Sequence, residues 1–166
     1  QPIVAFLSAN ARDAAGQATW RYLTLGFGEQ AGLLHARTDA GTPDGYFYTA
    51  RRQPFLTQSG IASLDYSLLW DSKAIALRSL LLQPAPEHLR WVFTEDPGYQ
   101  KILGDSGWRQ TETLADGVGV WETNQAVAPV DPNVPQTSVL AIWWGIAPLA
   151  ALAASFALGL KSRLVC

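Results

Sequence analysis

The amino-acid sequence predicts a small mixed-sheet α/β (or α+β) extracytoplasmic domain followed by one C-terminal transmembrane helix. Three observations lead there. Strand-like and helix-like patterns intermix over residues 1–125, as layered α/β folds require. A proline-rich stretch, AVAPVDPNVPQ (residues 126–136), then interrupts all periodicity. Residues 139–160 read VLAIWWGIAPLAALAASFALGL, with no charged side chain. The expected organisation is a domain over 1–125, a spacer over 126–138, a span over 139–160 and a cytoplasmic tail over 161–166.

Each element has a local reason. WRYLTLGF (20–27) is rich in aromatic and β-favouring types and reads as a strand, closed by Gly26-Phe27-Gly28. EQAGLLHAR (29–37) reads as a helix and residues 38–45 as turn material. SKAIALRSLLL (72–82) reads as a helix with Ser72 at its N-cap and Gln83-Pro84 as its stop. LRWVFTE (89–95) reads as a buried strand, and residues 97–106 as a short helix stopped by Gly107. Residues 108–114 and 118–123 form a hairpin over Ala115-Asp116-Gly117. In it Val118, Val120 and Glu122 share one face, and Trp121 takes the other.

As a helix, the apolar run covers about 33 Å, close to the roughly 30 Å hydrocarbon core of a bilayer. Trp143 and Trp144 sit near one end as interface anchors, and Lys161 and Arg163 follow the other. No Lys or Arg occurs from 110 to 160, so the positive-inside rule places the C-terminus in the cytoplasm and residues 1–138 outside. The expected location is the cell membrane, crossed once. Gly145, Ala147, Ala151 and Ala154 give the helix small surfaces on which other transmembrane helices of a complex pack closely.

Composition excludes several functions. Residues 1–138 contain all fourteen acids but ten of the twelve bases, a poor match to nucleic acid, which needs a positive surface. Cys166 is the sole cysteine, so no intrachain disulfide forms. Two histidines, His35 and His88, cannot build a three-histidine zinc site, and no metal or cofactor is expected. The chain lacks methionine, so Gln1 reads as a processed terminus or a fragment edge.

Two stretches are candidate sites. GFGEQA (26–31) fits a loose dinucleotide pattern, but Glu29 opposes a pyrophosphate and no compact β–α–β follows, so a tight strand-to-helix turn is expected. DGYFYTARRQP (44–54) places Tyr46 and Tyr48 near Arg51 and Arg52. Such a cluster suits a glycan, a lipid phosphate or an acidic partner loop; the alternative is local, with arginines paired to Asp44, Asp65 or Glu29 and aromatics in the core. Asp65 and Asp71 flank YSLLW, but their spacing defines no shared face for paired-carboxylate catalysis.

WRYLTLGFGEQ (20–30), DGYFYTARRQP followed by SGI and LD (44–65), LRWVFTEDPGY (89–99) and GW with LADGVGVWE (107–122) together resemble one bacterial family. Its members are multi-span membrane proteins labelled 6-pyruvoyl-tetrahydropterin synthase-related, similar in layout to membrane glycosyltransferases of the C superfamily and to YfhO-like proteins. The resemblance implies an extracytoplasmic C-terminal domain beside a final membrane helix. It transfers no catalytic residue, because the family's catalytic acid and lipid-phosphate site lie in an N-terminal multi-span half. The pterin-synthase label carries no chemistry here, since the zinc histidines are missing.

Three functions remain in view. The leading expectation is a non-catalytic, single-span accessory subunit of a larger membrane complex, respiratory or photosynthetic complexes being examples. The alternative is the C-terminal portion of a multi-span glycosyltransferase-like protein acting on lipid-linked sugars. A weaker alternative is an anchored carbohydrate-binding module using Tyr46, Tyr48, Arg51 and Arg52.

Overall fold

The computed structural model describes residues 2–12, 17, 19–44, 63–70 and 74–130. The chain divides into two compact units at Val130, and every feature below belongs to the first. Among the described residues no helix is long and apolar enough to cross a membrane; the run at 139–160 lies outside them.

The domain is a mixed α/β structure on a four-stranded sheet. Helix α1 (Pro2–Asn10) precedes β1 (Arg21–Thr24) and α2 (Glu29–His35). A short α3 (Ser67–Trp70) and α4 (Ile75–Leu82) follow, then a 3₁₀ turn (Ala85–Glu87) leading into β2 (Leu89–Thr94). Helix α5 (Pro97–Asp105) and the hairpin β3 (Trp108–Thr113) and β4 (Gly119–Thr123) complete it. The strand order is β1-β2-β4-β3. β1 and β2 are parallel, whereas β4 is antiparallel to both its neighbours. β2, α5 and β3 thus form a split β–α–β unit with β4 inserted.

Both sheet faces are covered. One face carries an aliphatic core built on Leu23, Leu25, Leu77, Leu81, Val92 and Leu103. The other packs α1 through Ile3 and Leu7 against Tyr22, Trp91, Phe93 and Val120. Phe6 meets Trp91 and Phe93 edge-on, with ring centroids 5.8 and 5.6 Å apart, the geometry that aromatic quadrupoles favour. A strand covered on both sides reads as a continuous apolar run, which explains the composition of β2.

The β1–β2 register contains a bulge. Arg21 opposes Leu89 and Tyr22 opposes Trp91, so Arg90 has no partner across the ladder. The extra residue reverses the side-chain alternation: Leu89 and Val92 enter the aliphatic core, while Trp91 and Phe93 enter the aromatic one. Arg90 stacks its guanidinium 4.5 Å from the Trp20 ring and 5.0 Å from the Trp91 ring. A second bulge lies in β3 at Thr111. With every β3 residue after Trp108 exposed, it disrupts an edge that would otherwise template another strand.

Several expected elements occur with trimmed ends: Arg21–Thr24 within 20–27, Glu29–His35 within 29–37, and Pro97–Asp105 within 97–106. α5 starts on an Asp96 side-chain cap, whose Oδ1 accepts from Gly98 N at 2.7 Å, with Pro97 in the first turn. The hairpin separates its faces as expected, with Val118 and Val120 in the aromatic core and Trp121 in the aliphatic one. α4 differs from expectation. It begins at Ile75 with Ala74 at the cap position, and Ser72 lies outside the described residues. Ala74 is left-handed and buried, so packing rather than a side-chain cap marks the described start.

Candidate functional site

Ligand sites in α/β sheets gather beyond the carboxyl ends of parallel strands. Here that end is formed by the loop after β1, Leu25 to Gly28, and the loop after β2, Glu95 and Asp96. Thr94 joins them: its hydroxyl donates to Leu25 O at 2.9 Å and accepts from Asp96 N at 3.1 Å.

The β1 loop is held from behind by a buried carboxylate. Asp65 is 1% exposed. Its oxygens accept from Phe27 N at 2.9 Å and Gly28 N at 2.6 Å, and its carbonyl accepts from Gly26 N at 3.2 Å. Those are the amides that a dinucleotide fold aims at phosphate; an internal carboxylate occupies Phe27 and Gly28 here. Gly26-Phe27-Gly28 is therefore the tight turn the sequence suggested. Gly28 has φ +62°, and a Cβ there would lie 2.8 Å from the Tyr66 hydroxyl. Glycine is required on both counts.

A second acid supports the first. Asp44 accepts from Ser63 Oγ at 2.9 Å, Leu64 N at 2.7 Å and Asp65 N at 3.0 Å. Its carboxylate thus joins the two ends of the 45–62 segment. Tyr99, reaching over from α5, donates its hydroxyl to Asp65 O at 2.8 Å and accepts from Leu68 N at 3.2 Å.

The acids experience different surroundings. Burial pushes the Asp65 carboxyl from its ordinary 3.8 up to about 6, with the negative charge of Asp44 adding to the rise; the Phe27 and Gly28 amides pull the other way and lose. Burial likewise raises the Tyr99 phenol above its ordinary value, keeping it a neutral donor.

In front of the loop is an open cleft of about 240 Å³ lined by Gly26, Phe27, Gln30, Glu95, Asp116 and Val118. It is smaller than the roughly 300–1,000 Å³ of drug-sized pockets. Asp65 is not in its wall; the loop lies between. Asp65 consequently positions the loop and does not itself meet a molecule in the cleft. Among the described residues no group of three or more His, Cys, Asp or Glu is arranged to hold a metal ion.

Tyr46, Tyr48, Arg51 and Arg52 are outside the described residues, as are Asp71, Trp143, Trp144, Gly145, Ala147, Ala151, Ala154, Lys161 and Arg163. His88 is described, and its Nδ1 lies 3.0 Å from Ala128 O. Sequence reading named Asp44 and Asp65 as partners for the arginines, and Asp65 with Asp71 as a carboxylate pair without a shared face, and did not anticipate the hydrogen-bonded cluster. One signal was available: an acid inside an apolar run, as in LDYSLLW, is buried and must find donors.

Comparison with protein-family models, curated proteins and solved structures found no match.

Proposed function

We propose that this chain is a membrane-anchored extracytoplasmic module, non-catalytic by itself, that serves a larger membrane assembly. The charge-free run at 139–160, ended by Lys161 and Arg163, carries this reading. Its small residues suit contact with other membrane helices. The domain agrees with a docking role: its two buried acids, Asp44 and Asp65, bind backbone amides and tie loops together. The decisive experiment is protease treatment of intact cells. Residues 1–130 are expected to be digested from outside while the tail is protected; the reverse pattern rejects the proposal.

A second reading, the C-terminal portion of a multi-span glycosyltransferase-like protein, has its own support. The four stretches that carry that resemblance meet at one end of the sheet. Gly26 and Gly28 come from the first, Asp44 and Asp65 from the second, Tyr99 from the third, and Asp116 and Val118 from the fourth. Intact mass of the polypeptide in native membranes separates the two readings: a much longer chain favours the second, and a single-span chain with co-purifying subunits favours the first.

A further inference from the structure

After β4 the chain leaves the sheet and crosses its amino end, where hydrogen bonds hold it to the domain. Asn124 Nδ2 donates to Gly107 O at 3.2 Å, and Gln125 Nε2 donates to Leu82 O at 3.1 Å. Trp20 Nε1 donates to Val127 O at 3.3 Å, His88 Nδ1 lies 3.0 Å from Ala128 O, and Val130 N donates to Thr19 O. The geometry points to a peptide-binding ledge formed by Thr19, Trp20 and His88. It takes a proline-containing segment, and it holds the chain's own residues 127–130 as a strap that lifts off without unfolding the domain.

The strap is bound as a ligand is. Residues 126–130 form no helix, strand or turn, and among the described residues no backbone hydrogen bond joins two of them. Their bonded groups face the ledge instead. Pro129 biases Ala128 toward extended backbone, so Val127 O and Ala128 O are presented at little entropic cost. Aromatic-lined surfaces take proline-containing peptides for this reason.

The ledge is built ahead of its occupant. The Trp20 ring is fixed edge-on to Trp91 at 5.8 Å and has the Arg90 guanidinium 4.5 Å from its centre, so the indole N–H is already aimed. His88 has φ +54°, a left-handed conformation that is costly for a residue with a side chain. Its backbone is pinned there, with His88 O accepting from Arg21 N at 2.9 Å and His88 N donating to Ala85 O at 3.1 Å. A carbonyl only accepts, so Nδ1 carries the proton toward Ala128 O.

The strap is also lightly held. Asn124, Gln125, Ala126, Ala128 and Pro129 are exposed, and Val127 and Val130 are half-buried. Neither hydrophobic cluster contains a strap residue, and Trp20 keeps Trp91 and Arg90 when the strap leaves. A segment that buries so little apolar surface opens more readily than the domain it rests on.

NMR of the full chain in detergent micelles tests this, with Trp20→Phe identifying the indole signal. The Trp20 indole N–H and the Val130 amide are expected to share one protection factor against hydrogen exchange, at least about tenfold below that of the Val92 and Phe93 amides. Protection equal to the strand amides, or none at all, overturns the strap. Ala126→Gly, Val127→Ser, Ala128→Gly, Pro129→Ser and Val130→Gly together then empty the ledge at unchanged chain length. End-blocked Ala-Val-Ala-Pro-Val, added at roughly millimolar concentration to match a tethered segment, is expected to return the Trp20 indole and His88 ring signals toward their positions in the unaltered chain. The same peptide with glycine for proline is expected to move them less. No movement, equal movement by the glycine peptide, or loss of the folded state in the fivefold variant overturns the ledge.

Discussion

At the amino end of β1 and β2, the connecting chain is held by contacts that water reaches. Arg21 pairs with Glu87 at 2.9 Å, with both side chains about a quarter exposed. The segment after β4 is tied by Trp20 Nε1 donating to Val127 O at 3.3 Å and by Gln125 donating to Leu82 O at 3.1 Å. At the carboxyl end the same task falls to Asp44 and Asp65, both nearly inaccessible and bound to backbone amides. The difference teaches how location sets the strength and the sensitivity of a polar tie. Hydrated ion pairs are weak and respond to salt. Buried carboxylates strand several donors when removed, and they respond to protons.

The largest effect is expected from Asp44→Ala. It leaves Ser63 Oγ and Leu64 N without their acceptor in a buried site, and Asp65 N with only the 3.2 Å bond to Ser63 Oγ, a loss of about 3–5 kcal/mol. Urea denaturation of the full chain in micelles measures it. Gly28→Ala follows at about 1–3 kcal/mol, because the new methyl meets the Tyr66 hydroxyl at a positive φ. Tyr66→Phe in the same background should recover the steric part and leave the backbone strain; no recovery would show that the close approach is relaxed elsewhere.

The Asp65 carboxyl gives a pH signature. Its folded value, about 6, lies above the ordinary 3.8, so the folded state binds the proton more tightly. The associated stability is fully present below pH 4 and is lost as pH rises to about 6. Compared with Asp65→Asn, the unaltered chain should therefore lose relative melting temperature from pH 4 to pH 6 and hold a constant difference above that. A constant difference throughout would show that the burial cost is relieved in another way.

The amino end should give the small effects. Arg90→Leu removes a cation lying over the Trp20 and Trp91 rings and should cost about 1 kcal/mol. Glu87→Gln should cost less than about 1 kcal/mol, and the cost should shrink in high salt. If Glu87→Gln proved as damaging as Asp44→Ala, the contrast between the two ends would fail.

Much of the domain was legible from local pattern. The Phe27 neighbourhood read as a turn because two glycines flank it, and both do take positive φ. The hairpin over Ala115-Asp116-Gly117 and its two faces followed from period-two alternation. α1 carried no comparable signal: PIVAFLSAN is apolar on most sides, and its amphipathic character is weak. The bulge at Arg90 was also hidden, since it exists only relative to β1. The candidate site was the least legible part, because Phe27 and Gly28 are 38 and 37 residues from Asp65, and Asp44 is 19 from Ser63.

By itself the sequence determined where β1, α2, α4, β2, α5 and the β3–β4 hairpin would fall, because backbone preference and apolar periodicity act within a few residues. It also determined that residues 139–160 carry no charge and are followed by bases. Only the tertiary structure decided that β1 lies beside β2 in parallel and that two acids from distant segments meet beneath one glycine loop. Parallel pairing depends on the path of a long crossover, and the burial that raises the Asp65 carboxyl exists only once several elements close around it.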